Sequence, residues 1–309
     1  MRRKTIKQKG QQWHLFHVAK IIAQIYPPGN CRYNNFDQSP PAFDELPRIL
    51  YIVRMKRLLL FAFTTVLLYT STLAQTPTET PIRKILAYGG APQKAFIKQV
   101  IALTGKSRPK ICYLPTASAD NPYGVNNWYD LCHDLPVEPY TLSVWVNSSP
   151  EQQTFEEKLM GMDAIIVGGG NTLNMIAIWK AQGIDTVLRK AYDKGIVLAG
   201  GSAGSICWFT ASFSDSRPKY LSIVNGLSFL PYSHCPHYHS EPGRKPLYTA
   251  ALLDGRMTAG YACDDKAGIL FLNEKYSRSV ALDTASHTYF LSVKNGKIDE
   301  QIFDAEIIH

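Results

Sequence analysis

The sequence has no C-x-x-C pair, no G-x-G-x-x-G fingerprint, and no lysine placed after its glycine-rich runs as in a P-loop. The last two absences leave no familiar cradle for a nucleotide phosphate. Beyond residue 74 the cysteines are Cys112, Cys132, Cys207, Cys235 and Cys263, an odd number at wide spacing. That pattern argues against a complete disulfide framework and suits small buried hydrophobes, although a single bridge stays open. No internal repeat and no domain linker interrupt the chain. No uninterrupted apolar run reaches the roughly 18 to 20 residues that a membrane-spanning helix wants.

The formal net charge of +8 is confined to the beginning. Residues 1–54 hold nine Lys/Arg against three Asp/Glu, Lys56 and Arg57 follow, and from Gln75 onward 22 basic residues face 22 acidic ones. Without that beginning nothing in the charge suggests nucleic acid or a membrane surface. Met55-Lys56-Arg57, the apolar Leu58–Leu68 and the small residues before Gln75 form the n-region, h-region and cleavage site of a secretory signal, starting at the fifty-fifth residue. The expected organisation is therefore an upstream extension outside the product (1–54), a signal peptide (55–74) cleaved near Ala74, a Thr/Pro-rich tether (75–81) and one domain (82–309). The product is expected to be exported, with membrane contact only through the signal; a signal anchor is the rival reading.

Within the domain, apolar strand-like runs alternate with helical periodicity. Strands are expected near 83–88, 110–114, 138–144, 163–167 and 195–199, with helices near 93–104, 124–134, from a Ser149-Pro150-Glu151 start, 172–181 and 184–194. This order implies an α/β fold with a mostly parallel sheet covered on both faces and functional loops at the strand C-termini. Beyond residue 220 short strands separated by turn residues, with hairpin signals at Asn225-Gly226 and Asn295-Gly296, give a β-rich C-terminal part.

The chemistry concentrates in the stretch Gly195–Phe209. An apolar strand runs into Gly200-Gly201-Ser202-Ala203-Gly204 and then into a helix-compatible run, which fits the G-x-S-x-G elbow of a serine nucleophile. The amide of Ala203 would face an oxyanion, with the helix N-terminus adding positive charge. Gly168-Gly169-Gly170-Asn171-Thr172 repeats the arrangement of glycines at a strand end before a helix. Downstream, His234, Cys235, His237 and His239 first suggest a metal. In an extended segment, however, Cys235, His237 and His239 share one face with His234 on the other, and no partner with ligand spacing appears elsewhere. A histidine accepting the serine proton accounts for the cluster with fewer requirements. No metal and no cofactor are expected, and His234 reads as a hydrogen-bonded loop residue. The acid orienting the base is expected at Asp215, giving the order Ser, Asp, His, with Glu241 in reserve; Asp215 as a simple turn residue is the alternative.

The three ordered motifs Gly168–Thr172, Gly201–Gly204 and Cys235-Pro236-His237-Tyr238 resemble the aspartyl dipeptidase (peptidase E) family of serine peptidases, to which cyanophycinase is related. The likeness runs over residues 82–272. It implies a three-layer α/β/α sheet similar to that of class I glutamine amidotransferases, with serine in place of their cysteine. It implies Ser202 as nucleophile, His237 as base, and the amides of Gly169 or Gly170 with that of Ala203 as oxyanion hole. Asn171, Arg244 and Glu241 become the candidate substrate-binding residues. The stretch from Ser202 to Asp215 is shorter than in peptidase E, and Asp264-Asp265 resembles a family acidic pair for which the sequence supplies no role beyond exposed turn residues. The resemblance implies a small peptide substrate, either a dipeptide with N-terminal aspartate or a β-linked Asp-Arg chain, and a monomer or homodimer.

Three rivals stand beside that reading. An α/β-hydrolase esterase shares the elbow but normally carries its histidine after further β/α units. A nucleotide-binding protein would use Gly168–Thr172 without the residues that usually complete such a site. A non-catalytic binding protein could use the same fold.

Overall fold

The computed structural model describes residues 80–145 and 153–309, all within one compact unit, Glu79–His309. The upstream extension, the signal segment, most of the tether and the Ser149-Pro150 helix start lie outside the described residues.

Five strands build the parallel part of the main sheet: β1 (Lys84–Tyr88), β2 (Lys110–Leu114), β3 (Glu138–Thr141), β4 (Ala164–Val167) and β5 (Val197–Gly201). They lie side by side in the order β1-β5-β4-β2-β3, every neighbouring pair parallel. Four of these strands are nearly unbroken apolar runs because both of their faces are covered. Ile85, Ala87, Cys112, Leu114, Ile165, Val167 and Leu198 enter one core. Their neighbours Leu86, Tyr88, Ile111, Tyr113, Ala164, Ile166, Val197 and Ala199 enter the other.

Helices α1 (Lys94–Thr104) and α2 (Pro122–Cys132) close the second core with Phe96, Ile97, Val100 and Trp128. The opposite face is covered by α3 (Phe155–Met160), α4 (Thr172–Gln182) and α5 (Ile184–Asp193), which supply Leu159, Met175, Trp179 and Leu188. Helix starts are fixed locally. Asn121 accepts from the Tyr123 amide with Pro122 at the first position, and Thr154 and Glu157 form a reciprocal capping box.

Past β5 comes α6 (Ala203–Ile206), a single turn where the sequence suggested a longer helix. It stops because the carbonyls of Cys207, Trp208 and Phe209 are taken by the amides of Leu227, Leu230 and Ser228. A two-stranded piece, β6 (Ala211–Ser214) and β7 (Ser222–Asn225), follows. Asn225-Gly226 does not turn a hairpin. A side chain at Gly226 would overlap the Phe209 carbonyl, so the glycine serves close backbone approach.

Then come β8 (Ser233–Cys235), α7 (Arg244–Leu253), β9 (Gly260–Cys263), β10 (Ala267–Leu272), β11 (Lys275–Ala281), β12 (Thr288–Lys294), β13 (Lys297–Phe303) and β14 (Ala305–Ile307). The helix α7 is absent from the sequence expectation. Asn295-Gly296 does join the antiparallel β12 and β13. β8, β9, β12 and β13 form a second sheet, while β10, β11 and β14 extend the main sheet beyond β1. The whole is an α/β fold with a mostly parallel central sheet and a strand-rich C-terminal part. Among the described residues no helix is long and apolar enough to cross a membrane. Among the described residues the five cysteines are buried and free, and burial pushes the Cys112, Cys132 and Cys235 thiols up to about 12.

Candidate active site

β1, β4 and β5 end on the same edge of the sheet, and their loops converge there. Ser202 leaves β5 with φ 54° and ψ −122°, a conformation that a non-glycine residue holds only under constraint from its surroundings. The constraint is visible on both sides. A Cβ at Gly201 would overlap the Gly90 carbonyl beyond β1, and one at Gly204 would overlap the Val167 carbonyl of β4. The G-x-S-x-G pattern here is two strand ends pressed against a turn, with the serine side chain the one group left to project.

The Oγ of Ser202 lies 2.8 Å from Nε2 of His237. Nδ1 of the same ring lies 2.7 Å from Oδ1 of Asp265, which also accepts from the Ser240 hydroxyl at 2.8 Å. With Nδ1–H donated to the carboxylate, Nε2 presents its lone pair to the serine hydroxyl. Asp265 is the acid in this line. Asp215 makes no contact with the imidazole, so the expectation that it orients His237 does not match the geometry; it sits on the β6–β7 hairpin, across the cleft. Glu241 also stands apart from Nδ1, its Oε1 lying 3.8 Å from Nε2.

Asp265 reaches the site because the turn after β9 is fixed from several directions. The amide of Gly90 donates to its carbonyl at 3.0 Å, and Tyr238 N–H donates to the Cys263 carbonyl at 3.1 Å. The neighbouring Asp264 binds His239 at 2.8 Å and accepts from the His287 amide and the Tyr289 hydroxyl. Two consecutive acids thus hold two histidines that are two residues apart. A pairing across 28 residues, between a loop and a turn, leaves no local spacing signal, although Asp264-Asp265 was the fragment that carried it.

The oxyanion candidates surround the serine. A Cβ on Gly169 would press on Ser202 Cβ at 3.2 Å, so the backbone of this loop approaches the nucleophile as only glycine permits. Among the described residues the N–H groups of Gly169, Gly170 and Ala203 have no acceptor in the protein. Since α6 is one turn long, these amides, rather than a helix dipole, are the groups available to a developing negative charge.

A cleft of ≈ 220 Å³ opens beside Ser202, lined by Gly170, Asn171, Asp215, Glu241 and Arg244. Arg244 is 3% exposed, its Nε donating to Glu241 Oε2 at 2.6 Å and its Nη1 to the Phe213 carbonyl. Asn171 is committed to structure. Its Oδ1 caps α4 through the Asn174 amide, and its Nδ2 donates to the Ser216 carbonyl at 3.0 Å.

The remaining histidines separate rather than converge. His234 is fully buried, stacked 4.3 Å from Phe209, with Nδ1 3.0 Å from the Tyr261 carbonyl and Nε2 2.9 Å from the Ser205 hydroxyl. Burial holds its pKa down to about 3, so it is neutral and ties α6 to β8. Among the described residues no group of three or more His, Cys, Asp or Glu is arranged to hold a metal ion.

Known proteins share this chain's pattern. The profile of Peptidase family S51 matches residues 85–278. A Bacillus subtilis (strain 168) protein called "Uncharacterized peptidase YgaJ" is 36% identical over 225 residues, covering 71% of this chain and 96% of its own length. Two solved structures share the fold. A peptidase from an acI-B1 Actinobacterium has a TM-score of 0.58 at 16% identity, covering 74% of this chain and 97% of its own. A putative peptidase E protein from Listeria monocytogenes EGD-e has 0.51 at 17% identity, covering 65% and 100% respectively.

Proposed function

Because the chain belongs to peptidase family S51 and is a serine-type peptidase, we propose that it hydrolyses short peptides beginning with an acidic residue, aspartate above all, and does so after export. The observation that carries this reading is the continuous line from Ser202 Oγ through His237 to Asp265, with 2.8 and 2.7 Å contacts, at the mouth of a cleft that contains Arg244.

In this mechanism Ser202 Oγ attacks the scissile carbonyl carbon while its proton passes to His237 Nε2. Asp265 stabilises the resulting imidazolium and fixes the ring. The carbonyl oxygen, now negative, is received by the amides of Ala203 and of Gly169 or Gly170. Collapse of the tetrahedral intermediate breaks the C–N bond, and His237 returns the proton to the leaving amine. A water molecule, deprotonated by the same nitrogen, then hydrolyses the acyl-serine. Among the described residues that line the cleft Arg244 is the cation, and its remaining nitrogen is the natural partner for a substrate carboxylate. Export rests on the signal pattern of residues 55–74.

The decisive experiment profiles the purified protein on Asp-X, Glu-X, Asn-X and β-Asp-Arg peptides beside its Ser202→Ala variant. Asp-X should be cleaved faster than Asn-X, and Ser202→Ala should lose several orders of magnitude in kcat. An active Ser202→Ala protein would end the serine mechanism. Equal rates on Asp-X and Asn-X would remove the acidic preference, and preferred cleavage of β-Asp-Arg would move the substrate to β-linked chains.

A further inference from the structure

The two acids of the β9–β10 turn are held in different ways. The side chain of Asp264 is 14% exposed and is fixed by His239, by the His287 amide and by the Tyr289 hydroxyl. Asp265, the acid beside the base, has a side chain 46% exposed. Its backbone is anchored, since Gly90 N–H donates to its carbonyl at 3.0 Å, but that bond leaves the carboxylate free to turn about Cβ–Cγ. Solvent offers such a half-exposed carboxylate as many donors as the protein does, so the His237 ring alone is a weak hold on its orientation.

Ser240 supplies a second point of attachment. Its hydroxyl donates at 2.8 Å to Oδ1 of Asp265, the same oxygen that lies 2.7 Å from His237 Nδ1. One oxygen thereby meets two donors, and both of its lone pairs are used. Rotation of the carboxylate would break the two bonds together. The donors come from a single turn, closed by Glu241 N–H donating to the His237 carbonyl at 3.2 Å, with His237 itself in the left-handed region at φ 54°. A non-glycine residue keeps that conformation only where its surroundings hold it, and the shared grip on Asp265 is one such hold.

We infer that Ser240 is a positioning residue of the peptidase, acting through Asp265 to keep Oδ1 aimed at the imidazole while His237 carries the serine proton. The inference rests on the proposed Ser202–His237–Asp265 mechanism. During attack the ring becomes an imidazolium, and a carboxylate already fixed in line stabilises it without reorganising. A carboxylate that first had to turn away from water would lose part of that gain. The charge on the ring exists in the transition state and not in the bound substrate complex, so the contribution of Ser240 falls on kcat.

The test compares the unmodified protein with Ser240→Ala, Ser240→Thr, Asp265→Asn and the double variant of Ser240→Ala with Asp265→Asn. Each is assayed by steady-state kinetics on Asp-Leu and by proton NMR of the downfield Nδ1–H shared by His237 and Asp265. Ser240 is exposed, so its replacements should leave thermal unfolding unchanged. Ser240→Ala should lose roughly 10- to 100-fold in kcat, the range of one charge-assisted hydrogen bond, with KM within about twofold. Ser240→Thr, which keeps the hydroxyl, should recover most of that loss. Adding Ser240→Ala to Asp265→Asn should cost nothing further, and the imidazole proton should broaden in Ser240→Ala through faster exchange with water. Full kcat in Ser240→Ala, a loss carried by KM, a Thr variant as slow as the Ala variant, or an equal loss repeated in the Asp265→Asn background would each overturn the inference and leave the triad intact. Full activity in Asp265→Asn would instead overturn the mechanism, and the role of Ser240 with it. If the unmodified protein leaves Asp-Leu uncut, the acidic-residue reading fails and the proton signal decides by itself, its persistence unchanged in Ser240→Ala overturning the inference and its broadening supporting it.

Discussion

Asp265 Oδ1 lies 2.7 Å from His237 Nδ1, although the acid stands on the turn between β9 and β10 and the histidine on the loop after β8. If this contact sets the tautomer of the base, Asp265→Asn would favour the ring with its proton on Nε2 and no lone pair for Ser202. A drop in kcat of roughly three to four orders of magnitude is expected, with thermal stability little changed. Asp215→Asn should leave kcat within about tenfold, since its carboxylate does not touch the imidazole that Asp265 holds. Steady-state kinetics of the two variants on one Asp-X substrate decide between the two acids. A severe kcat loss in Asp215→Asn with a mild one in Asp265→Asn would restore the assignment expected from sequence order.

The buried His234 makes stability depend on pH. Its folded-state pKa of about 3 lies below the ordinary value near 6.5, so the unfolded chain binds this proton more readily. The associated stability is present above about pH 6.5 and declines as pH falls towards 3, at up to about 1.4 kcal/mol per pH unit from this group. Urea unfolding of the protein and of His234→Gln between pH 7 and 4 should show the steeper decline in the unmodified protein. Identical pH slopes would show that His234 does not set them.

Chelation should leave hydrolysis intact. His234 faces Tyr261 and Ser205, His237 faces Ser202 and Asp265, and His239 faces Asp264. The three imidazoles are spent on different partners. Activity lost in EDTA and restored by zinc would contradict this division.

The N-terminus offers an independent check. Mass spectrometry of protein exported from a native host should find a mature chain starting at or near Gln75 and no peptide from residues 1–54. A mature cytoplasmic protein retaining those residues would refute export.

The parallel sheet was legible because its strands are continuous apolar runs with glycines at their C-terminal ends, and Ser202 and His237 stood out in their local motifs. Asp265 did not, because its contact is made by tertiary packing of the β9–β10 turn on Gly90, and nothing in its neighbours marks an acid that binds a distant histidine. Asp215 misled for the complementary reason, being the right residue type in the right order on the wrong wall of the cleft. The helix α7 escaped because Pro246 lies at its third position, which is compatible with a first turn yet reads as a breaker. The commitment of Asn171 to capping could have been suspected from its place directly before a helix.

The joining of β10 to β1 has a consequence for how the enzyme comes into being. As the chain emerges from its N-terminus the nucleophile's turn and all five parallel strands come first, but the edge of β1 stays open until β10 arrives, and the residue that steadies the base comes on the turn just before that strand. A chain that ends before residue 265 lacks both the acid beside His237 and the strand that closes the edge of β1, so the two losses come together.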